Sequence, residues 1–340
     1  MFHQIFTIAA TAVLASSTLA AELKVGDKAP DVEVKEWIQG ETTVGAGKPY
    51  VVEFWATWCG PCRQSIPHLN DLYKKYKGKG LSIIGVSDEV NAVEKVRSFV
   101  RGKGDGMSYS VAIDGGVKRK FFDAAGQKGI PSAFIVANDN SIAYIGHPMD
   151  PKFEEILAKV VAGRYSPTLM KKAAPKLAAA RRAAKVRNYG DAYQHMDDVI
   201  ALDNGVFVQV ALDKYRLMAS EQNDSASADL WVAEMIDMYS DDSGALKMIA
   251  VMTAADPDEE VHNIDAARKA ADAMLQKAGA RDPEALAVSA KVAFAEGDSN
   301  RAIREQMQAW MTANPDLKPE FKRNLDIYRG QAKRPGAARR

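Results

Sequence analysis

Glu53-Phe54-Trp55-Ala56-Thr57-Trp58-Cys59-Gly60-Pro61-Cys62 decides how this 340-residue chain is read. Cys59 and Cys62 are its only cysteines, so a disulfide within the chain can join only these two. Before them, Val51, Val52, Phe54 and Trp55 form an apolar run rich in β-branched and aromatic residues, which predicts a buried strand. After them, Ile66, Leu69, Leu72, Tyr73 and Tyr76 recur at steps of three or four, which predicts a helix. Cys59 is then expected at or just before the helix N-terminus, where unpaired N–H groups and the helix dipole stabilise a thiolate. Such sites lower a cysteine pKa from about 8.5 to roughly 3.5–7.5. Pro61 suits an early helical position, and Gly60 is expected to give a tight turn that keeps Cys59 accessible. Cys62, one turn inside and more buried, suits a resolving role. Pro67 predicts a kink. The pair reads as a redox switch.

Two other readings of the pair are weighed against this one. A zinc site needs a second Cys or His pair at metal spacing, and His3, His68, His147, His195 and His262 are scattered, so no metal is expected. A purely structural disulfide closing so short a loop would constrain the unfolded chain little.

Three separated landmarks resemble the TlpA/ResA branch of thioredoxin-fold thiol–disulfide oxidoreductases. They are Trp58–Cys62 after Val51–Thr57, the run Gly129-Ile130-Pro131-Ser132-Ala133-Phe134-Ile135-Val136, and Gly26-Asp27-Lys28-Ala29-Pro30-Asp31. The resemblance covers about Lys24 to Tyr165 and implies an α/β thioredoxin fold, a central mixed sheet flanked by helices. It implies that Cys59 attacks, that Cys62 resolves, and that Pro131 is a cis proline facing the disulfide. Pro131 offers no N–H, which leaves the Ile130 backbone to pair with an incoming substrate strand. Trp58, Gly60, Pro61 and Ile130 are thus expected to contact substrate. Glu53 falls where the family carries a buried acid. Either burial raises its pKa so that it exchanges a proton with Cys62, or it is a strand-edge acid reaching water. Asp88 or Glu89 occupies the place of a further family acid, and a solvated loop acid would look the same. Trp55 suits either the site's apolar surface or ordinary core packing. The resemblance implies no cofactor.

Composition sets the surroundings. A formal net charge of +1 suggests no nucleic-acid partner. Residues 1–20 read as a cleavable signal peptide, with an uncharged apolar run from Ile5 to Leu19 and Thr18-Leu19-Ala20 before Ala21, although the preceding Met1-Phe2-His3-Gln4 lacks Lys or Arg. No cysteine follows that run, so no lipid anchor is expected, and export to a periplasm is the expected location. A mature chain with a redox pair and no other cysteine fits that compartment.

Beyond Gly163 the character changes. The expected organisation is a thioredoxin-like domain over 22–165, an α-helical domain over 168–330 and a basic disordered tail over 331–340. Residues 171–187 hold seven Lys or Arg and no acid, which suits a solvated helix face or a lipid or partner surface. Alanine-rich helical stretches follow, broken by Asp-Asn-Gly, Asp-Asp-Ser-Gly and Asp-Pro. They resemble degenerate tetratricopeptide (TPR-like) pairs, most clearly in Asp282–Pro315 with Leu286, Ala290, Gly297, Ala302 and Ala309. Ala192, Ala226, Ala267 and Ala302, separated by 34, 41 and 35 residues, are candidate equivalent small positions. An irregular helical bundle fits the pattern as well.

Two function classes follow. In the first, the pair passes electrons to disulfides of exported partner proteins, as a reductase recharged by a membrane thiol reductase or as an oxidase or isomerase. The helical domain then holds a protein partner. In the second, the helical repeats carry the main function as a scaffold.

Overall fold

A computed structural model describes residues 22–45, 47–221, 224–254 and 263–332. The expected signal peptide lies outside them. The chain divides into two compact units between Leu157 and Ala158.

The first unit is built on six strands: β1 (Val34–Gln39), β2 (Tyr50–Trp55), β3 (Ser82–Ser87), β4 (Ser110–Asp114), β5 (Ser132–Val136) and β6 (Ile142–Gly146). Their order in the sheet is β1-β4-β3-β2-β5-β6. β2, β3 and β4 are parallel, whereas β1, β5 and β6 pair antiparallel with their neighbours, giving a mixed sheet. Helix α1 (Gly60–Tyr76) links β2 to β3, α2 (Val93–Lys103) links β3 to β4, and α3 (Pro151–Val161) follows β6. This is the thioredoxin fold.

β2 is buried along its whole length, as its apolar run predicts. Tyr50, Val52 and Phe54 enter a core with Phe121, Phe122 and Phe134. Phe54 meets Phe122 and Phe134 edge-on at 5.6 and 5.8 Å, a favoured aromatic geometry. Strand alternation turns Glu53 and Trp55 to the opposite face. Along α1 the residues Cys62, Ile66, Leu69, Leu72 and Tyr76 are buried, and the helix runs unbroken through Pro67.

The second unit is helical: α4 (Pro167–Lys185), α5 (Tyr189–Ile200), α6 (Val208–Arg216), α7 (Ser225–Met238), α8 (Ser243–Thr253), α9 (Ile264–Ala278), α10 (Pro283–Ala295), α11 (Ser299–Thr312) and α12 (Lys318–Ala332). α12 runs through Gln331 and Ala332, and the rest of the expected tail lies outside the described residues. Short polar side chains start most of these helices. Ser166, Asn188, Asp224, Asp242, Asn263, Asp282 and Asp298 each accept the backbone N–H three residues on. Each such cap is worth about 1 kcal/mol.

Consecutive helices pack on one another, and α7 also touches α9 while α8 touches α10. Four residues after the caps Asn188, Asp224, Asn263 and Asp298 stand the buried alanines Ala192, Ala228, Ala267 and Ala302. Ala226 is therefore not the equivalent small position. It sits exposed in the first turn of α7, and Ala228 takes the packed place. In the clearest pair, Leu286 packs with Ala309, and Ala290 packs with Ala302.

Candidate functional site

Cys59 caps the N-terminus of α1 in extended conformation (φ −76°, ψ 109°), and its Sγ accepts the Cys62 N–H at 3.1 Å. The pair is present as a disulfide with Cα atoms 5.3 Å apart. Cys62 is fully buried, while Cys59 keeps 4% of its surface exposed. A reduced Cys59 would meet the same N–H, which favours the anion over the thiol. The turn into the helix does not require glycine: Gly60 has no positive φ and is already the first helical residue. A Cβ there would project into open space, so the residue leaves approach room beside Cys59.

The peptide bond Ile130–Pro131 is cis. The Ile130 carbonyl oxygen lies 3.7 Å from the Cys59 sulfur. Trp58, Cys59, Gly60, Pro61, Phe122 and Ile130 bound a cleft of about 510 Å3. Trp58 stands 65% exposed at its rim. Asp88, Lys118 and Lys128 add charge to the same rim. The four residues expected to touch substrate therefore share one surface with the exposed edge of the disulfide, and Pro131 adjoins it.

Glu53 lies behind that surface and does not reach water. Ser65 Oγ is 3.5 Å from its Oε1 and also donates to the Cys62 carbonyl at 3.1 Å. The Tyr109 hydroxyl lies 3.5 Å from Oε2. Burial pushes the Glu53 pKa up to about 8, and the hydroxyls of Ser65 and Tyr109 offset only part of that rise. Burial and the adjacent carboxyl push the Tyr109 phenol well above its ordinary range. Glu53 is thus a buried carboxyl whose pKa is raised towards neutral pH, and Ser65 touches both it and the Cys62 carbonyl. Its neighbours across the sheet are Gly85 and Ala133, which are small. A Cβ on Gly85 would come within 3.0 Å of Trp55 Nε1 and 3.2 Å of Tyr109, so glycine makes room for both rings. Trp55 is buried in the core beside Glu53.

The two loop acids separate cleanly. Asp88 is exposed at the cleft rim. Glu89 turns inward and accepts from Thr57 N–H at 2.6 Å and Thr57 Oγ1 at 2.7 Å. Arg63 donates to the Thr57 carbonyl through Nε at 2.9 Å and Nη2 at 2.5 Å. Burial alone would raise the Glu89 pKa, but the Thr57 and Lys95 hydrogen bonds outweigh it and hold the carboxyl below its ordinary value. Thr57, Arg63, Ser65 and Tyr109 were not singled out from sequence. Ser65 had a signal, since three residues after Cys62 places it on the same helix face. Tyr109 had none, because it comes from another strand's edge.

Among the described residues no group of three or more His, Cys, Asp or Glu is arranged to hold a metal, and no helix is long and apolar enough to cross a membrane.

The AhpC/TSA family model matches residues 25–145. The thiol-disulfide oxidoreductase ResA of Bacillus thuringiensis (strain Al Hakam) is 32% identical over 145 residues, covering 41% of this chain and 80% of that protein. Protein FixW of Rhizobium leguminosarum is 28% identical over 162 residues, covering 43% of this chain and 70% of that protein. Among solved structures, a thiol:disulfide interchange protein of the thioredoxin family from Chlorobium tepidum TLS shares 27% identity. That match covers 34% of this chain and 81% of the other, with a TM-score of 0.30.

Proposed function

Because this chain belongs to the ResA family of thiol–disulfide oxidoreductases, we propose that Cys59 and Cys62 reduce disulfides of exported partner proteins. The Cys59 thiolate attacks one sulfur of a partner disulfide, forming a mixed disulfide and releasing the other partner sulfur as a thiolate. Cys62 gives up its proton and attacks the Cys59 sulfur. The second partner sulfur leaves, and two electrons have passed from the dithiol to the partner. The resulting Cys59–Cys62 disulfide is the state of the pair in the structure.

Glu53 acts as the base for Cys62, because a carboxyl with a pKa of about 8 accepts and returns a proton near neutral pH. Trp58, Gly60, Pro61 and Ile130 form the partner-facing surface, and the Ile130 backbone beside Pro131 offers hydrogen bonds to an incoming strand. The chain works in the periplasm after loss of residues 1–20, and a membrane thiol reductase restores the dithiol. No cofactor takes part, since the electrons reside in the sulfurs. The domain organisation is a thioredoxin-like domain over 22–165 and a helical domain over 168–330 of stacked TPR-like pairs, which holds a protein partner.

One observation carries the reading: the cysteine with an exposed edge and its buried mate sit at one helix start, facing an apolar cleft and backed by an acid. Cys62→Ser tests it. The variant should accumulate mixed disulfides through Cys59, and adding Cys59→Ser should abolish them. Absence of any trapped partner overturns the proposal. The direction is tested by the reduction potential of the pair. A value near that of thioredoxin, about −270 mV, supports reduction, and one near about −120 mV makes the protein an oxidant instead.

A further inference from the structure

A hollow lies within the helical unit. It has a volume of about 790 Å3, and all of its lining residues fall between Lys159 and Met248. Its floor is apolar, formed by Leu177, Met196, Phe207, Val210, Leu217 and Met248. Along α4 it extends from Met170 to Ala184, a rise of about 21 Å at 1.5 Å per residue. A second hollow of about 350 Å3 continues it, sharing Gln209 and Met248 and reaching Val251, Met252 and Lys291.

Charge distinguishes this groove from an ordinary packing gap. Six basic residues line the two hollows: Lys159, Arg164 and Arg181 in the first, Arg216, Lys247 and Lys291 in the second. Asp213 is the one acid among the lining residues. Some of these cations are engaged: Arg164 with Asp242 at 2.7 Å, Lys247 with Glu284 at 3.1 Å, and Arg216 with Asp213 at 3.6 Å. Arg181 and Lys291 stand exposed on opposite hollows.

The geometry points to this groove as a binding site for an acidic, apolar-rich segment of a partner protein. This rests on, and deepens, the reading that the helical domain holds a partner. Apolar side chains of the segment enter the floor, and its carboxylates meet the cations along the edges. The exposed cations Arg181 and Lys291, one on each hollow, match a chain that carries more than one acid. A fatty acid, with one carboxylate, would satisfy a single end.

Panning a random displayed library of about 14-residue peptides, roughly the α4 span, against the immobilised full chain tests this. Enriched peptides should be net acidic and rich in Leu, Ile, Phe or Met. The paired exposed changes Arg181→Glu and Lys291→Glu should weaken them about tenfold or more, with Arg181→Gln and Lys291→Gln intermediate. Binding should fall as salt rises. Cys59→Ser should bind as the unaltered chain does, so loss of electron transfer and loss of docking are read separately. No enrichment, basic or neutral winners, or affinity indifferent to the charge reversals overturns the proposal. So does displacement of the peptides by oleate at a matching site with tighter, salt-independent binding, which would make the groove a lipid site.

Discussion

The carboxylate of Glu89 holds Thr57 by both its backbone N–H and its hydroxyl, at 2.6 and 2.7 Å. Thr57 stands two residues before Cys59, and Arg63 grips its carbonyl from inside α1. The loop that presents Cys59 is thereby fixed from both sides. Glu89→Gln should keep the shape but lose the charge-assisted bonds, lowering stability by about 1.5–3 kcal/mol in denaturant titration. Its folded pKa is depressed, so its contribution is full above the unfolded value and disappears as pH falls through the folded one. The gap between the original protein and Glu89→Gln should therefore close below about pH 4.

Glu53 has the opposite sign. Its folded pKa of about 8 lies above the ordinary carboxyl value near 4.3, so the folded state binds the extra proton between those limits. Stability should fall as pH rises through that window, and the penalty should be complete above about pH 8. Glu53→Gln should remove this slope and be the more stable form at pH 9, by on the order of a few kcal/mol. The same variant should slow resolution of a mixed disulfide by about 10²-fold or more at pH 7. A stopped-flow pH profile unchanged by the substitution would remove Glu53 from the proton path.

Gly85 was invisible from sequence as part of this site, because its importance lies in what it lacks. Trp55 and Tyr109 occupy the space beside it. Gly85→Ala should cost about 1–3 kcal/mol through overpacking and should shift the pH profile of resolution, since Tyr109 faces Glu53. Circular dichroism melts and the same kinetic profile would show both effects.

The local features were legible where chemistry and periodicity coincide. The lone cysteine pair, the apolar run of β2 and the amphipathic face of α1 all lie within one short segment. Glu53 was legible as an acid in an apolar strand, but the choice between core and edge depended on β5 lying beside β2. The choice between Asp88 and Glu89 depended on where a loop turns, which neighbouring acids do not reveal. In the helical half the caps were written in the sequence, yet the repeat register slipped to Ala226. Small residues are common there, and only packing separates Ala228 from its exposed neighbour. The caps themselves give the register without that ambiguity: in α5, α7, α9 and α11 the buried alanine follows its cap by four residues.

That register makes a test. Ala228→Leu should destabilise the helical unit by about 1–3 kcal/mol, because the added carbons meet close-packed helices. Ala226→Leu, on an exposed first turn, should lie within about 0.5 kcal/mol of the original. Equal effects in thermal unfolding would contradict the alignment of the four alanines.

Lys214 offers the sharpest energetic contrast in the helical unit. Its side chain is 8% exposed, its Nζ is 2.6 Å from Asp197, and the same atom lies 3.8 Å from the centroid of the Trp231 ring. The ammonium is desolvated and relies on a carboxylate and an aromatic face for compensation. Asp197 itself keeps 44% of its side chain exposed, so its own loss of hydration is modest. Asp197→Ala should leave a buried cation with the ring alone and cost about 1–3 kcal/mol. Lys214→Met removes the charge while filling similar volume and should cost under about 1.5 kcal/mol. The double variant should be more stable than Asp197→Ala alone, because the uncompensated charge is gone. Urea titrations of the original protein and the three variants measure this directly, and additive losses would mean that the two side chains do not act as a pair.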